Sequence, residues 1–164
     1  SMGGHGALTF ALGNPDRFKS CSAFAPIVQP STADWSKGAF SRYLGDDTAK
    51  WRAHDATAMI EDGARFPEFL VDQGTADGFL DDGLRPWLLE AACKEAGIAL
   101  TLRMQEGYDH SYNFISTFMD DHLDWHAERP HRAFSYPPGD RFSPRRRKPC
   151  SRWRPSPRRA RPRK

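Results

Sequence analysis

Residues 69–77 read Phe-Leu-Val-Asp-Gln-Gly-Thr-Ala-Asp, a short apolar run cut off by a polar loop that contains glycine. Three consecutive large apolar residues bounded by turn chemistry predict a strand buried on both faces, over 69–73. A helical pattern follows: Leu84, Leu88, Ala91, Ala92 and Glu95 trace one face, and Gly97 supplies the stop. Pro86 falls near the first turn of that helix, where its missing N–H costs little. Leu100, Leu102 and Met104 then alternate with Thr101, Arg103 and Gln105, which predicts a strand over 100–105 that ends at Gly107. Strand, helix, strand over so short a span is the pattern of a parallel crossover.

Working outward, the same alternation continues in both directions. Phe18 to Ala25 is an apolar and small-residue run closed by Pro26, and predicts another buried strand. Before it, Met2 to Leu12 reads as a helix stopped by Gly13-Asn14-Pro15. Residues 26–66 read as loop-rich, with one short helix over Asp55 to Glu61. Beyond Gly107, Ile115, Phe118, Met119, His122, Leu123 and His126 repeat at helical spacing along a closing helix. The whole is an α/β fold with three parallel strands. Because the pattern opens on a helix, a parallel sheet calls for a further strand just before residue 1.

Three residues stand where such a sheet carries chemistry, at the carboxyl ends of strands. Asp77 follows the 69–73 strand, and His110 follows the 100–105 strand in Glu106-Gly107-Tyr108-Asp109-His110-Ser111. Ser1-Met2-Gly3 looks like the back half of a G-x-S-x-G nucleophile elbow, in which a serine sits on a tight strand-to-helix turn. Each residue alone has an ordinary explanation as a cap, an exposed acid or a loop histidine. Their joint order, serine then acid then histidine, is the order of α/β-hydrolase triads.

Five stretches carry a resemblance: Ser1 to Leu8 (Ser-Met-Gly-Gly-His-Gly-Ala-Leu), Ser22 to Pro26 (Ser-Ala-Phe-Ala-Pro), Tyr43-Leu44-Gly45, Asp72-Gln73-Gly74 with Asp77, and Gln105 to Tyr112 (Gln-Glu-Gly-Tyr-Asp-His-Ser-Tyr). Together they resemble the C-terminal half of the S-formylglutathione hydrolase (esterase D) family over residues 1–127. The resemblance implies a truncated α/β-hydrolase fold with no cofactor and no metal. It implies Ser1 as nucleophile, His110 as general base and then acid, and Asp77 as the carboxylate that orients His110. The Met2 N–H is implied as an oxyanion donor, its usual companion donor lying on an upstream loop. Trp35 and Phe40 match a variable segment of the family and are candidates for lining the pocket, with structural packing the competing reading. Asp72 and Asp109 compete with Asp77 by proximity only. The implied substrate is a small thioester or ester, hydrolysed in formaldehyde detoxification, and a homodimer is compatible with the family.

Composition sets the remaining bounds. The chain has 164 residues, one domain's worth, and no apolar run long enough to cross a bilayer. No secretory signal is visible at its start. Three widely spaced cysteines, Cys21, Cys93 and Cys150, match neither a disulfide framework nor a zinc spacing, and point to a reducing, cytoplasmic setting. His122 and His126, four apart on one helix, read as a surface pair rather than as metal ligands. Cys21 and Cys93 read as core. The net charge of +3 averages two unlike parts. Residues 129–164 hold 14 Lys and Arg against Asp140 alone, with eight prolines, whereas residues 1–128 hold 10 basic against 20 acidic residues. The expected organisation is therefore a half-hydrolase domain over 1–128 and a disordered Arg/Pro-rich tail over 129–164. Nucleic acid or another acidic surface becomes a partner only if that tail is genuine; an out-of-frame read of the coding DNA would give the same composition. Alone, the chain is expected to fold poorly and to be essentially inactive.

Overall fold

The computed structural model describes residues 1–129; the Arg/Pro-rich segment, its expected disorder and Cys150 lie outside the described residues. Three parallel strands form the sheet, β1 (Cys21–Phe24), β2 (Glu68–Gly74) and β3 (Ala99–Gln105), in the order β1-β2-β3. Cys21 stands opposite Phe69, and Phe69 opposite Leu100. The central strand is buried on both faces from Phe69 to Gly74, as its unbroken apolar opening requires. β1 is shorter than the 18–25 expected: Phe18 stays outside the ladder and is 43% exposed.

Helix α1 (Met2–Gly13) packs Leu8, Ala11 and Leu12 against Cys21, Ala23, Phe69 and Val71. Helix α5 (Pro86–Ala96) closes the same core with Leu89, Ala92 and Cys93. That is not the stripe expected from Leu84, because Ala91 and Glu95 are exposed. Leu84 belongs instead to a π-helical turn, Leu80–Leu84, and Arg85 at φ 46° breaks the chain before α5 begins. A phase counted from Leu84 therefore carries across a break.

The 26–66 region holds more helix than its sequence suggested. Besides α4 (Ala56–Glu61), capped by the buried carboxylate of Asp55, it contains α2 (Asp34–Leu44) and α3 (Thr48–Trp51). α2 buries only Ser36, so it has no apolar stripe for a periodicity to reveal.

The closing helix, α6 (Tyr112–Ala127), corrects a second expectation. His122 is 2% exposed and stacks on Phe24 at 3.8 Å between ring centroids. Its Nδ1 lies 2.8 Å from Ser22 Oγ, and His126 reaches Ser22 Oγ at 2.8 Å and Ser20 Oγ at 2.6 Å. The two imidazoles turn toward β1, where serine hydroxyls serve as their partners, rather than toward solvent. Met119 and Leu123, which share the helical spacing, are 38% and 57% exposed. Among the described residues no group of His, Cys, Asp and Glu has the arrangement of a metal site, and no helix is long and apolar enough to cross a membrane.

Candidate active site

Ser1 stands immediately before α1 as its N-cap residue, yet its side chain makes no capping hydrogen bond. The Ser1 carbonyl accepts from the N–H groups of His5 at 3.0 Å and Ile27 at 3.3 Å, which pins the start of the helix to the segment after β1. That approach is close. A Cβ on Gly4 would lie 2.9 Å from Pro26 Cβ, so only glycine fits there, whereas Gly3, the elbow glycine of the sequence, meets open space. The Met2 N–H is one of the donors that a helix start leaves without an intrahelical partner.

Asp77 lies in the loop after β2 and is 5% exposed. Its Oδ1 accepts from the Phe79 N–H at 2.9 Å, and its Oδ2 accepts from Gln73 Nε2 at 3.1 Å. His110 comes from the loop after β3, and its Nδ1 lies 2.6 Å from that same Oδ2. The two loops are joined by three hydrogen bonds: Thr75 N–H to Gln105 O (3.0 Å), Ala76 N–H to Tyr108 O (3.0 Å) and Gly107 N–H to Thr75 Oγ1 (2.9 Å). A Cβ on Gly74 would collide with the Tyr108 carbonyl, so glycine at the end of β2 is what lets the His110 loop close on the Asp77 loop.

A cavity of about 430 Å³ opens between these elements. Ser1, Met2 and His110 line it together with Trp35, Ile27, Phe79, Asp82, Gly83 and Leu84. The Trp35 indole lies over Gly83, where a Cβ would come within 3.4 Å of its Nε1. Phe79 meets the His110 ring edge-on at 5.2 Å. Phe40 is not in this lining. Its ring stands edge-on to Trp51 at 5.6 Å, the packing reading of that residue, because the turn of α2 that carries it faces α3.

The competing acids are placed elsewhere. Asp72 is fully buried and accepts from Arg103 Nε and Nη2, each at 2.6 Å, with His122 Nε2 at 3.4 Å. Burial alone would raise its pKa, but the nearby His122 imidazole and the hydrogen bonds and charge of the Arg103 guanidinium outweigh burial and hold it below the usual carboxylate value. Asp109 is exposed. Of the three acids, Asp77 alone has a hydrogen bond to His110.

Sequence reasoning missed Ile27, Phe79, Leu84 and Gln73. The first three carried no signal beyond being apolar near a loop. Gln73 did carry one: a polar residue in a run buried on both faces must have partners inside.

An imidazole tied through Nδ1 to a buried carboxylate is fixed in one orientation and keeps Nε2 for proton exchange. With Ser1 and the first helical residue, Met2, lining the same cavity, the arrangement is equipped for acyl transfer at serine. Comparison with known proteins agrees: the family described as "Putative esterase" matches residues 1–125. The chain belongs to this esterase family. Within it, the chain is 53% identical over 129 residues to the S-formylglutathione hydrolase of Paracoccus denitrificans, covering 79% of this chain and 46% of that protein. It is 52% identical over 131 residues to the S-formylglutathione hydrolase of Mus musculus, covering 78% and 46%. Among solved structures, an S-formylglutathione hydrolase from Agrobacterium tumefaciens is 71% identical with a TM-score of 0.77, over 79% of this chain and 47% of that one. The expected resemblance and the α/β-hydrolase architecture are both borne out. This esterase-family chain spans about half the length of the curated relatives it matches.

Proposed function

We propose that this chain carries the catalytic serine, acid and histidine of a serine hydrolase of the S-formylglutathione hydrolase type. The observation that carries the reading is the 2.6 Å contact between His110 Nδ1 and Asp77 Oδ2 on a cavity that Ser1 also lines. In this reading Ser1 Oγ attacks the formyl carbonyl of S-formylglutathione while His110 Nε2 takes its proton. The oxyanion is held by the Met2 N–H. The C–S bond then breaks, the glutathione sulfur takes the proton from His110, and the serine is left formylated. Water, deprotonated by the same imidazole, attacks the ester, and formate leaves as Ser1 recovers its proton. Short acyl esters would follow the same path, with Ile27, Leu84 and Trp35 giving the acyl group an apolar wall. The cytoplasm is the proposed setting; two free, buried thiols support it, with burial pushing Cys21 up to about 12 and Cys93 up to about 11.

The test uses a completed chain, in which residues 1–129 follow the upstream half of the Paracoccus denitrificans relative. Ser1→Ala and His110→Ala should each lower kcat on a short-chain aryl ester by about 10⁶. Near-parental turnover in either variant sinks the reading.

A further inference from the structure

Gln73 is fully buried near the end of β2, in line with Phe69, Leu70 and Val71. Its Nε2 lies 3.2 Å from the Gly74 carbonyl and 3.1 Å from Asp77 Oδ2. Both partners are acceptors, so the orientation of the amide is determined: nitrogen toward the acid loop, oxygen away. The cost of this orientation is visible, because Gln73 Oε1 is buried without a hydrogen-bond partner among the described residues. A residue needed only to fill the strand would be apolar and would leave no such carbonyl. The donor end, by contrast, meets the very oxygen that faces His110 Nδ1, while Oδ1 is fixed by the Phe79 N–H. Both carboxylate oxygens are thereby held from the protein side.

We propose that Gln73 is a positioning residue for the His110–Asp77 pair. Its amide fixes the plane of the Asp77 carboxylate so that Oδ2 stays aligned on Nδ1, and its N–H shares the charge of that oxygen. Without it the carboxylate keeps one backbone donor on Oδ1 and turns about it, and the imidazole loses its fixed direction. The proposal rests on the hydrolase reading for its kinetic consequence and on geometry alone for its spectroscopic one.

Two variants of the completed chain separate positioning from packing. Gln73→Met keeps the length and Gln73→Leu keeps most of the volume, and both remove the amide donors. The expected result is a kcat about ten- to a hundred-fold lower with KM within about two-fold of the parent, because misdirection of a catalytic group acts on the chemical step. In the same samples the low-field proton resonance of His110 Nδ1–H, read with ¹⁵N-labelled histidine, should shift or broaden. A folded variant with parental kcat and an unmoved resonance overturns the proposal. Should neither variant fold, the parent still decides. Gln73 side-chain amide protons that are protected from exchange and shift on Asp77→Asn support the assignment, and freely exchanging, unmoved ones overturn it. Failure of the hydrolase reading shows separately, as Ser1→Ala retaining activity while the resonances behave as expected.

Discussion

Asp72 and Asp77 sit five residues apart, and their surroundings give them different work. Asp72 accepts two hydrogen bonds from Arg103 and faces His122 across the sheet, so its charge is used to tie β2 to β3 and α6. Asp77 turns its Oδ2 to His110. Replacing each by asparagine in the completed chain should therefore separate activity from stability. Asp77→Asn removes the anion that fixes the imidazole, and kcat should fall by about 10⁴ with little change in the melt. Asp72→Asn leaves the Arg103 guanidinium with Asp121 as its remaining acid partner. Breaking a buried pair costs about 3–5 kcal/mol. Here the figure should be about 1–3 kcal/mol, because Arg103 is 32% exposed and water screens it. Denaturant melts and ester hydrolysis on both variants check this, and a larger kinetic loss in Asp72→Asn would reverse the assignment of the acid.

The elements show where pH should act. The His126 imidazole, in contact with Ser20 and Ser22 at the β1 side of α6, is held below its ordinary pKa by burial first and then by the charges of His122 and Arg129. His5, whose Nε2 meets the His54 carbonyl at 2.9 Å, is also lowered, chiefly by burial. A histidine with a depressed folded pKa binds its proton more readily when unfolded. Acidification through about pH 6.5, the unfolded value, therefore favours the unfolded state, and stability should fall from there downward. Asp72, also depressed, adds a second loss only below about pH 4, where the unfolded carboxylate takes its proton first. Denaturation midpoints of the completed chain at pH 7.5 and 5.5 should differ, and the double replacement His5→Gln with His126→Gln should shrink the difference. An undiminished difference in the double variant would mean that other groups titrate. The same elements show what a sequence discloses. β2 was legible because burial on two faces leaves an apolar run, and β3 because Leu100 and Leu102 pack on the core from alternate positions, although Met104 of the same alternation is 45% exposed. The triad candidates were legible because a parallel sheet exposes chemistry only where strands end. α2 was not, since a helix that buries little but Ser36 writes no apolar stripe, and for Phe40 on it the contact with Trp51 supports the packing reading. The turn of His122 and His126 toward Ser22 is a tertiary contact across 100 residues, which spacing along a helix cannot encode.

At the scale of the molecule, β1 pairs with β2 on one side and, among the described residues, with no strand on the other. The flank of that free edge is apolar: a hollow lined by Ala7, Phe10, Ala11, Phe18, Cys21 and the Ser22–His126 pair runs beside it, and Phe10 and Phe18 are 66% and 43% exposed. An aromatic side chain buries about 150–250 Å² when covered. Covering the exposed half of two such rings is worth about 4–6 kcal/mol at about 25 cal/mol per Å², comparable with the net stability of a whole domain. The unpaired N–H and C=O groups of the edge add a route to self-association through strand pairing. The 1–164 chain alone should consequently bind an apolar dye, form concentration-dependent aggregates and melt without a sharp transition, whereas the completed chain should be dye-silent and cooperative. Activity should divide the same way, because the Met2 N–H holds an oxyanion poorly without a second donor opposite it. Thermal melts, dye binding and ester hydrolysis compared between the two chains decide the matter. A cooperative melt of the 1–164 chain, together with Ser1-dependent turnover equal to that of the completed chain, would show that the open edge and its apolar flank cost the molecule nothing.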